Sequence, residues 1–259
     1  VAANPAILSS LASALGVDLA DKVRRIASIQ CNGGHSAVKA FEYDGPPSCN
    51  SAMLVMGGDR LCRFGCLGMG DCIRVCPFGA MSMGVNGVPV VDRQKCTGCS
   101  KCVQTCPKRI ITLWPSDRDV VVACSNREKG AVARKACTVA CIACGKCEKA
   151  CPVSAITITE NLSRIDPVKC VNCGLCATVC PTGSILDRAP ARPRAYIESS
   201  CVGCTVCAKI CPTQAITGEL KQQHVVDTQK CVGCGMCAPK CPKNSIRMVG
   251  ALSYRKEGV

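Results

Sequence analysis

The sequence predicts an α+β protein: three small modules in tandem, each of two short hairpins and two short helices, behind a small N-terminal α/β segment. Three observations predict it. Twenty-four of the 28 cysteines fall into six four-cysteine runs, each ending in Cys-Pro, at Cys76-Pro77, Cys106-Pro107, Cys151-Pro152, Cys180-Pro181, Cys211-Pro212 and Cys241-Pro242. The runs pair, because the last cysteine of one and the first of the next lie 20 residues apart at Cys76 and Cys96, 19 at Cys151 and Cys170, and 20 at Cys211 and Cys231. Finally, 259 residues contain only three Phe, three Tyr and one Trp, so something other than side chains must fill part of the interior.

Five of the runs have the spacing C-x2-C-x2-C-x3-C-P, which supplies three ligands to one [4Fe–4S] cluster and the fourth to its neighbour. Each pair of runs therefore resembles a two-cluster bacterial ferredoxin. Disulfides do not fit thiols three residues apart, and zinc sites normally separate their CxxC pairs by a dozen or more residues. Thiolate clusters require a reducing compartment, the cytosol or a cytosolic membrane face. The formal charge of +14 counts every cysteine as neutral. Six oxidised clusters of about −2 each reduce it to about +2, which removes the case for nucleic acid and leaves Lys and Arg as compensation for cluster charge.

Residues 1–58 form an expected N-terminal docking segment that holds no cluster; Ile7, Leu8, Leu11, Leu15 and Leu19 recur at helical spacing within it. No stretch approaches 18 consecutive apolar residues, so no membrane span is expected in this chain. Residues 59–115 form the first module, 116–187 an insertion and the second, 188–250 a linker and the third, and 251–259 a tail. Strands are expected at Pro89 to Asp92, Ile110 to Leu113, Ile156 to Thr159 and His224 to Asp227, carrying the hairpins. Leu186 to Ser200, rich in Arg and Pro, reads as a stiff basic linker.

Ligand exchange assigns six clusters. Cys141, Cys144, Cys147 and Cys180 hold one in the second module; Cys170, Cys173, Cys176 and Cys151 hold the other. In the third, Cys201, Cys204, Cys207 and Cys241 form one set and Cys231, Cys234, Cys237 and Cys211 the next. In the first module Cys96, Cys99, Cys102 and Cys76 follow the rule. Its leading run does not: in Cys62-x3-Cys66-x5-Cys72-x3-Cys76, Met69 stands where the second module has Cys144. Cys62 is the nearest replacement, giving Cys62, Cys66, Cys72 and Cys106, with Cys49 the alternative. The glycines at Gly98, Gly145, Gly174, Gly203, Gly233 and Gly235 let backbone amides approach the sulfurs. Lys101, Lys108, Arg109, Lys146 and Lys149 either do the same or form a solvated face.

Cys31, Cys49, Cys124 and Cys137 stand outside the runs. An overlay of the first two modules places Cys62 on Cys137 and Cys66 on Cys141. Cys31 and Cys124 each end a β-like stretch, Ile26 to Gln30 and Val120 to Ala123. The overlay implies paired thiols inside two equivalent insertions, buried as small hydrophobes, rather than one seventh site shared by Cys31, Cys49, Cys124 and Cys137. His35 and His224 are too isolated to suggest a catalytic base, the turn Gly65, Gly68, Gly70 is no dinucleotide site, and Trp114 reads as packing.

The stretches CRFGCLGMGDCIRVCPFGAM, CTGCSKCVQTCPKRIITLWP, VACSNREKG, CTVACIACGKCEKACPVSAITI and NLSRIDPVKCVNCGLCATVCPTGSI resemble the B subunit of the Rnf complex, a membrane-bound ferredoxin:NAD oxidoreductase. The resemblance runs from about residue 22 to 186, and GCLGMGDC is its most specific part; the last module is a ferredoxin-like extension. It implies an electron-transfer subunit that takes electrons from reduced ferredoxin. These pass to flavin- and NAD-binding subunits and to membrane subunits that move an ion, with no bond-making site on this chain. Members begin with a membrane helix and a further cysteine motif that these residues do not show. Attachment to the cytoplasmic face through partners, or through an upstream segment, is therefore the expectation. The competing expectations are a polyferredoxin subunit of a soluble flavin-based or electron-bifurcating oxidoreductase, a free electron store and, last, a zinc-based nucleic-acid binder.

Overall fold

The computed structural model describes residues 23–189 and 191–250. The helix expected around Ile7 to Leu19 and the tail lie outside them. Twelve strands form six two-stranded antiparallel sheets among the described residues. The same unit recurs three times: an outer strand, a cysteine run with a short helix, an inner hairpin, a second run with a short helix or turn, and a closing strand paired with the first.

In the first module β1 (Arg25–Ile29) pairs with β4 (Ile111–Pro115), from Arg25 opposite Pro115 to Ile29 opposite Ile111. Between them lie α1 (Cys49–Leu54), α2 (Asp71–Arg74), the hairpin of β2 (Met81–Met83) and β3 (Pro89–Val91), and α3 (Lys101–Thr105). The second repeats this with β5 (Val120–Val122) against β8 (Ile185–Asp187) around α4 (Gly130–Ala136), α5 (Lys146–Lys149), the hairpin of β6 (Ile156–Thr159) and β7 (Leu162–Ile165), and α6 (Leu175–Thr178). The third pairs β9 (Arg194–Ile197) with β12 (Ile246–Val249) around α7 (Val206–Ile210) and the hairpin of β10 (Ile216–Thr217) and β11 (Val225–Val226).

Three expectations change. The strand at Ile110 to Leu113 is β4, but it pairs with β1 far away in sequence rather than in a local hairpin. The first module therefore begins at β1, within the supposed docking segment, because Ile26, Ala27 and Ile29 are buried in the same core as Ala80, Met81, Ile110 and Ile111. Likewise, β8 and β9 take six of the fifteen residues from Leu186 to Ser200 into strands. The remaining link is short, and Arg192 ties back to Asp187 at 2.6 Å.

Helices of four or five residues are far too short to persist alone. Each inserts one buried cysteine into its module, namely Cys72, Cys102, Cys147, Cys176 or Cys207, and the Cys-Pro pair that follows prevents continuation. The first two modules are joined by a buried polar contact. Asp119, 1% exposed, pairs with Arg93 at 3.0 Å and accepts from Asn172 Nδ2 at 2.7 Å. Trp114 on β4 packs against the core of the second module, in keeping with its reading as packing.

Candidate metal centres

All six runs share one backbone pattern. Counting from Cys66, Cys96, Cys141, Cys170, Cys201 or Cys231, the second and fourth residues onward have positive φ, as does the third residue after each Cys-Pro cysteine. These left-handed residues wrap the chain so that amide hydrogens point at sulfur. Asn172 N–H donates to Cys170 Sγ at 3.4 Å and Gly203 N–H to Cys201 Sγ at 3.5 Å. Four residues past the Cys-Pro cysteine, Ala155, Ala215 and Ser245 donate to Cys151, Cys211 and Cys241 at 3.2, 3.2 and 3.3 Å. Only glycine fits at some of these positions: a Cβ on Gly98 would sit 2.3 Å from Arg25 O, and one on Gly233 2.1 Å from Pro193 O. A signal the sequence reading missed is an aspartate four residues before the second run of each pair. Asp92, Asp166 and Asp227 each cap the next turn with Oδ1, and their backbone carbonyls accept the N–H of Cys96, Cys170 or Cys231 at 3.0 Å.

The fold brings the thiols together in sets. Cys76, Cys96, Cys99 and Cys102 line a cavity of about 330 Å³; Cys201, Cys204, Cys207 and Cys241 one of about 320 Å³; Cys141, Cys144, Cys147 and Cys180 one of about 310 Å³. Burial, then the neighbouring Cys173, Cys170, Cys147 and Cys151, pushes the Cys176 thiol up to about 12. Burial, then Cys234, Cys231 and Cys211, pushes Cys237 up to about 11. Cys180 goes the other way, to about 7. Burial raises it, but the Ser184 hydroxyl at 3.3 Å, Thr182 and backbone amides outweigh that.

The leading set differs from expectation. The cavity of about 400 Å³ beside α2 is lined by Cys49, Cys66, Cys72 and Cys106, and Cys62 does not line it. The positive-φ pattern shows why: Gly68 and Gly70 count from Cys66, so Cys66, Met69, Cys72 and Cys76 keep the regular register and only the second thiol is missing. Cys49, at the start of α1, lines this cavity, and the start of α1 is clamped to the buried Asp71. Asp71 Oδ2 accepts from Ser48 Oγ at 3.0 Å and from Asn50 N and Nδ2 at 3.2 Å. Burial raises the Asp71 carboxyl, yet the amides of Cys49 and Asn50, Ser48 and Arg74 together hold it below its ordinary value.

Cys62 is turned away by the tight bend at Gly65, whose N–H bonds Cys62 O at 3.1 Å. It lines a separate cavity of about 320 Å³ with Cys31, Cys124 and Cys137. The two insertions therefore face each other instead of holding their own thiol pairs: Ala37 bridges Cys137, and Val38 N–H bonds Ala136 O at 2.9 Å.

Among the described residues, no three or more His, Cys, Asp or Glu converge closely enough for a single metal ion. A tetrahedral zinc would need sulfurs about 3.8 Å apart. Thiols spread around a cavity, several of them accepting backbone N–H groups, fit a polynuclear iron–sulfur core instead. Lys101, Lys146, Lys149 and Arg109 are solvent-exposed. Lys108 is engaged, donating to Gly57 O at 2.5 Å and Arg63 O at 2.6 Å. His35 is exposed and His224 buried, each remote from the other.

Residues 65–111, 95–155, 140–184 and 195–248 each match a 4Fe-4S dicluster domain. The B subunit of the Na(+)-translocating ferredoxin:NAD(+) oxidoreductase complex of Acetobacterium woodii is 46% identical over 159 residues, 61% of this chain and 48% of that one. The proton-translocating counterpart of Clostridium ljungdahlii is 44% identical over 55% of this chain and 50% of its own. The B subunit of the ion-translocating oxidoreductase complex of Methanosarcina acetivorans is 36% identical over 63% and 62%. The chain thus spans from about half to three fifths of the length of these relatives. A solved chain of the formate dehydrogenase–heterodisulfide reductase–formylmethanofuran dehydrogenase complex of Methanospirillum hungatei aligns with 74% of this chain and 80% of its own at 21% identity. Its TM-score of 0.31 is too low to carry an argument. The chain is a [4Fe–4S] protein of tandem dicluster modules, similar to Rnf B subunits.

Proposed function

We propose that this dicluster protein, similar to the B subunits of Rnf complexes, relays electrons from reduced ferredoxin to flavin- and NAD-handling partner subunits of an ion-translocating assembly at the cytoplasmic face of a membrane. A bound [4Fe–4S] cluster takes up and gives back one electron at low potential. The chain's own thiols would hold the clusters, and backbone amides aim their dipoles at sulfurs such as Cys151, Cys170 and Cys211.

The observation that carries the reading is the succession of thiol sets. Cys72 lies beside Cys106 and Cys102, linking the two sets of the first module; Cys176 lies beside Cys147 in the second. Cys173 is near enough to Cys234 for the latter's charge to help raise the Cys173 thiol, so the second and third modules approach each other there. Within the first module, within the second, and from the second to the third, an electron therefore finds neighbouring sets. Leu54 and Met56, 88% and 89% exposed just past Cys49, support a covered surface beside the leading set and favour a subunit over a free electron store. Among the described residues no helix is long and apolar enough to cross a membrane, so membrane attachment falls to partners or to a further segment.

The test is anaerobic fractionation of the source organism, following this chain by antibody and assaying ferredoxin-dependent NAD reduction. Co-migration with that activity in the membrane fraction is expected. Co-migration with a soluble flavin enzyme lacking it would move the relay to a flavin-based or bifurcating complex.

A further inference from the structure

We propose that Cys31, Cys62, Cys124 and Cys137 hold a seventh [4Fe–4S] cluster at the seam between the first and second modules, and that this cluster joins them into one electron path. The path rests on the relay reading above; the site does not.

Size comes first. The seam cavity, at about 320 Å³, falls among the 310 to 330 Å³ of the three cavities lined by complete ferredoxin-type ligand sets. Its walls are four thiols, with Cys62, Cys124 and Cys137 at 6%, 9% and 5% exposure.

Symmetry comes second. Cys31 of the first module corresponds to Cys124 of the second and Cys62 to Cys137, so the site draws two equivalent thiols from each side. Their hydrogen bonds correspond as well. Cys31 Sγ accepts from Gly33 N at 3.4 Å and Cys66 N at 3.4 Å; Cys124 Sγ accepts from Asn126 N at 3.5 Å and Cys141 N at 3.3 Å. The backbone of Phe64 serves Cys62 as that of Val139 serves Cys137, two residues on in each case. Asn126, 1% exposed, adds Nδ2 to Cys62 Sγ at 3.3 Å. Three buried sulfurs and the half-buried Cys31, accepting from N–H groups on both halves, are arranged as thiolates around a common cation, as in the neighbouring sets, and unlike four thiols packed as hydrophobes.

Position comes third. The amides that reach Cys31 and Cys124 belong to Cys66 and Cys141, which are themselves members of the flanking sets. The seam thus stands one hydrogen bond from the leading set of the first module and one from the first set of the second. Each transfer through it moves one electron and no atom, and tunnelling falls steeply with distance, so filling this gap decides whether the modules exchange electrons. Charge agrees: seven oxidised clusters of about −2 bring the formal +14 to about zero.

Iron and acid-labile sulfide in the anaerobically prepared holo-chain test the site. About 28 of each per chain are expected, and about 24 would overturn it. Variants separate the two uses of Cys62. Cys62→Ala and Cys49→Ala should each lose about four irons, and the double variant about eight; a double variant losing only about four would place both thiols in one set and overturn the proposal. Should either variant fail to fold, full reduction of the unaltered chain decides, with about seven electrons taken up expected and about six contradicting. A chain that holds about 28 irons yet ignores ferredoxin would refute the relay reading and leave the seam cluster standing.

Discussion

Ser184→Ala should lower the midpoint potential of one cluster and leave the others where they are. Ser184 is 2% exposed and its hydroxyl lies 3.3 Å from Cys180 Sγ, beside the cavity of Cys141, Cys144 and Cys147. Thr182 Oγ1 stands farther off, at 3.8 Å. A hydrogen bond to a charged acceptor contributes about 1.5–3 kcal/mol in all. The reduced cluster is more negative by one charge spread over four ligands, so roughly a third of that, about 0.5–1 kcal/mol, distinguishes the two redox states. At about 59 mV per tenfold for one electron, the loss is about 20–40 mV. The fold tolerates the change, because alanine already occupies the equivalent place at Ala80, Ala155 and Ala215. An EPR-monitored redox titration of the holo-variant reads the shift, with the remaining clusters as internal controls. A potential that stays put or rises would refute the hydroxyl as a donor to this thiolate.

Three further outcomes follow from the same geometry. Cys173→Ala should remove the cluster of Cys151, Cys170 and Cys176 and stop transfer between the second and third modules while the other clusters assemble; an unchanged EPR spectrum would contradict the ligand set. Asp71→Asn should loosen α1 by about 1–3 kcal/mol and make the Cys49 set the first to bleach under chelator. Since the folded Asp71 carboxyl lies below its ordinary 3.8, its contribution is complete above that value and disappears as pH falls through the lowered one, so acid-induced iron loss below pH 3.8 should start at this set. Arg93→Ala should remove the 3.0 Å ion pair to the buried Asp119, which keeps the Asn172 hydrogen bond and the nearby Arg188, and cost about 1.5–3 kcal/mol, read as an earlier anaerobic urea midpoint.

The gathering of Cys141, Cys144, Cys147 and Cys180, and of Cys201, Cys204, Cys207 and Cys241, around one cavity each was legible in the sequence because the C-x2-C-x2-C spacing is local. Cys62 and Cys49 were not. Their placement depends on a bend at Gly65 and on the Asp71 clamp across 21 or more residues, and neither leaves a periodic trace. The overlay of Cys62 on Cys137, with Cys31 and Cys124 each ending a β-like stretch, cannot say whether two equivalent insertions point apart or at each other. That is settled by the pairing of Val38 with Ala136. The outer sheets were hidden for a similar reason. β1 and β4 are separated by the whole first module, so alternation identified the strands without their partners. The aspartate before each second run was available at fixed spacing and could have been found by aligning the three modules.

One unbroken line of clusters through the chain is tested most directly by mixing the holo-chain with reduced ferredoxin and following cluster reduction by rapid-freeze EPR, with and without Cys124→Ala and Cys137→Ala together. All clusters of the unaltered chain should equilibrate as one population. The seam variant should split into two groups, the first module reduced on a separate, slower time scale from the second and third. A seam variant that equilibrates as fast as the unaltered chain would contradict the continuous line.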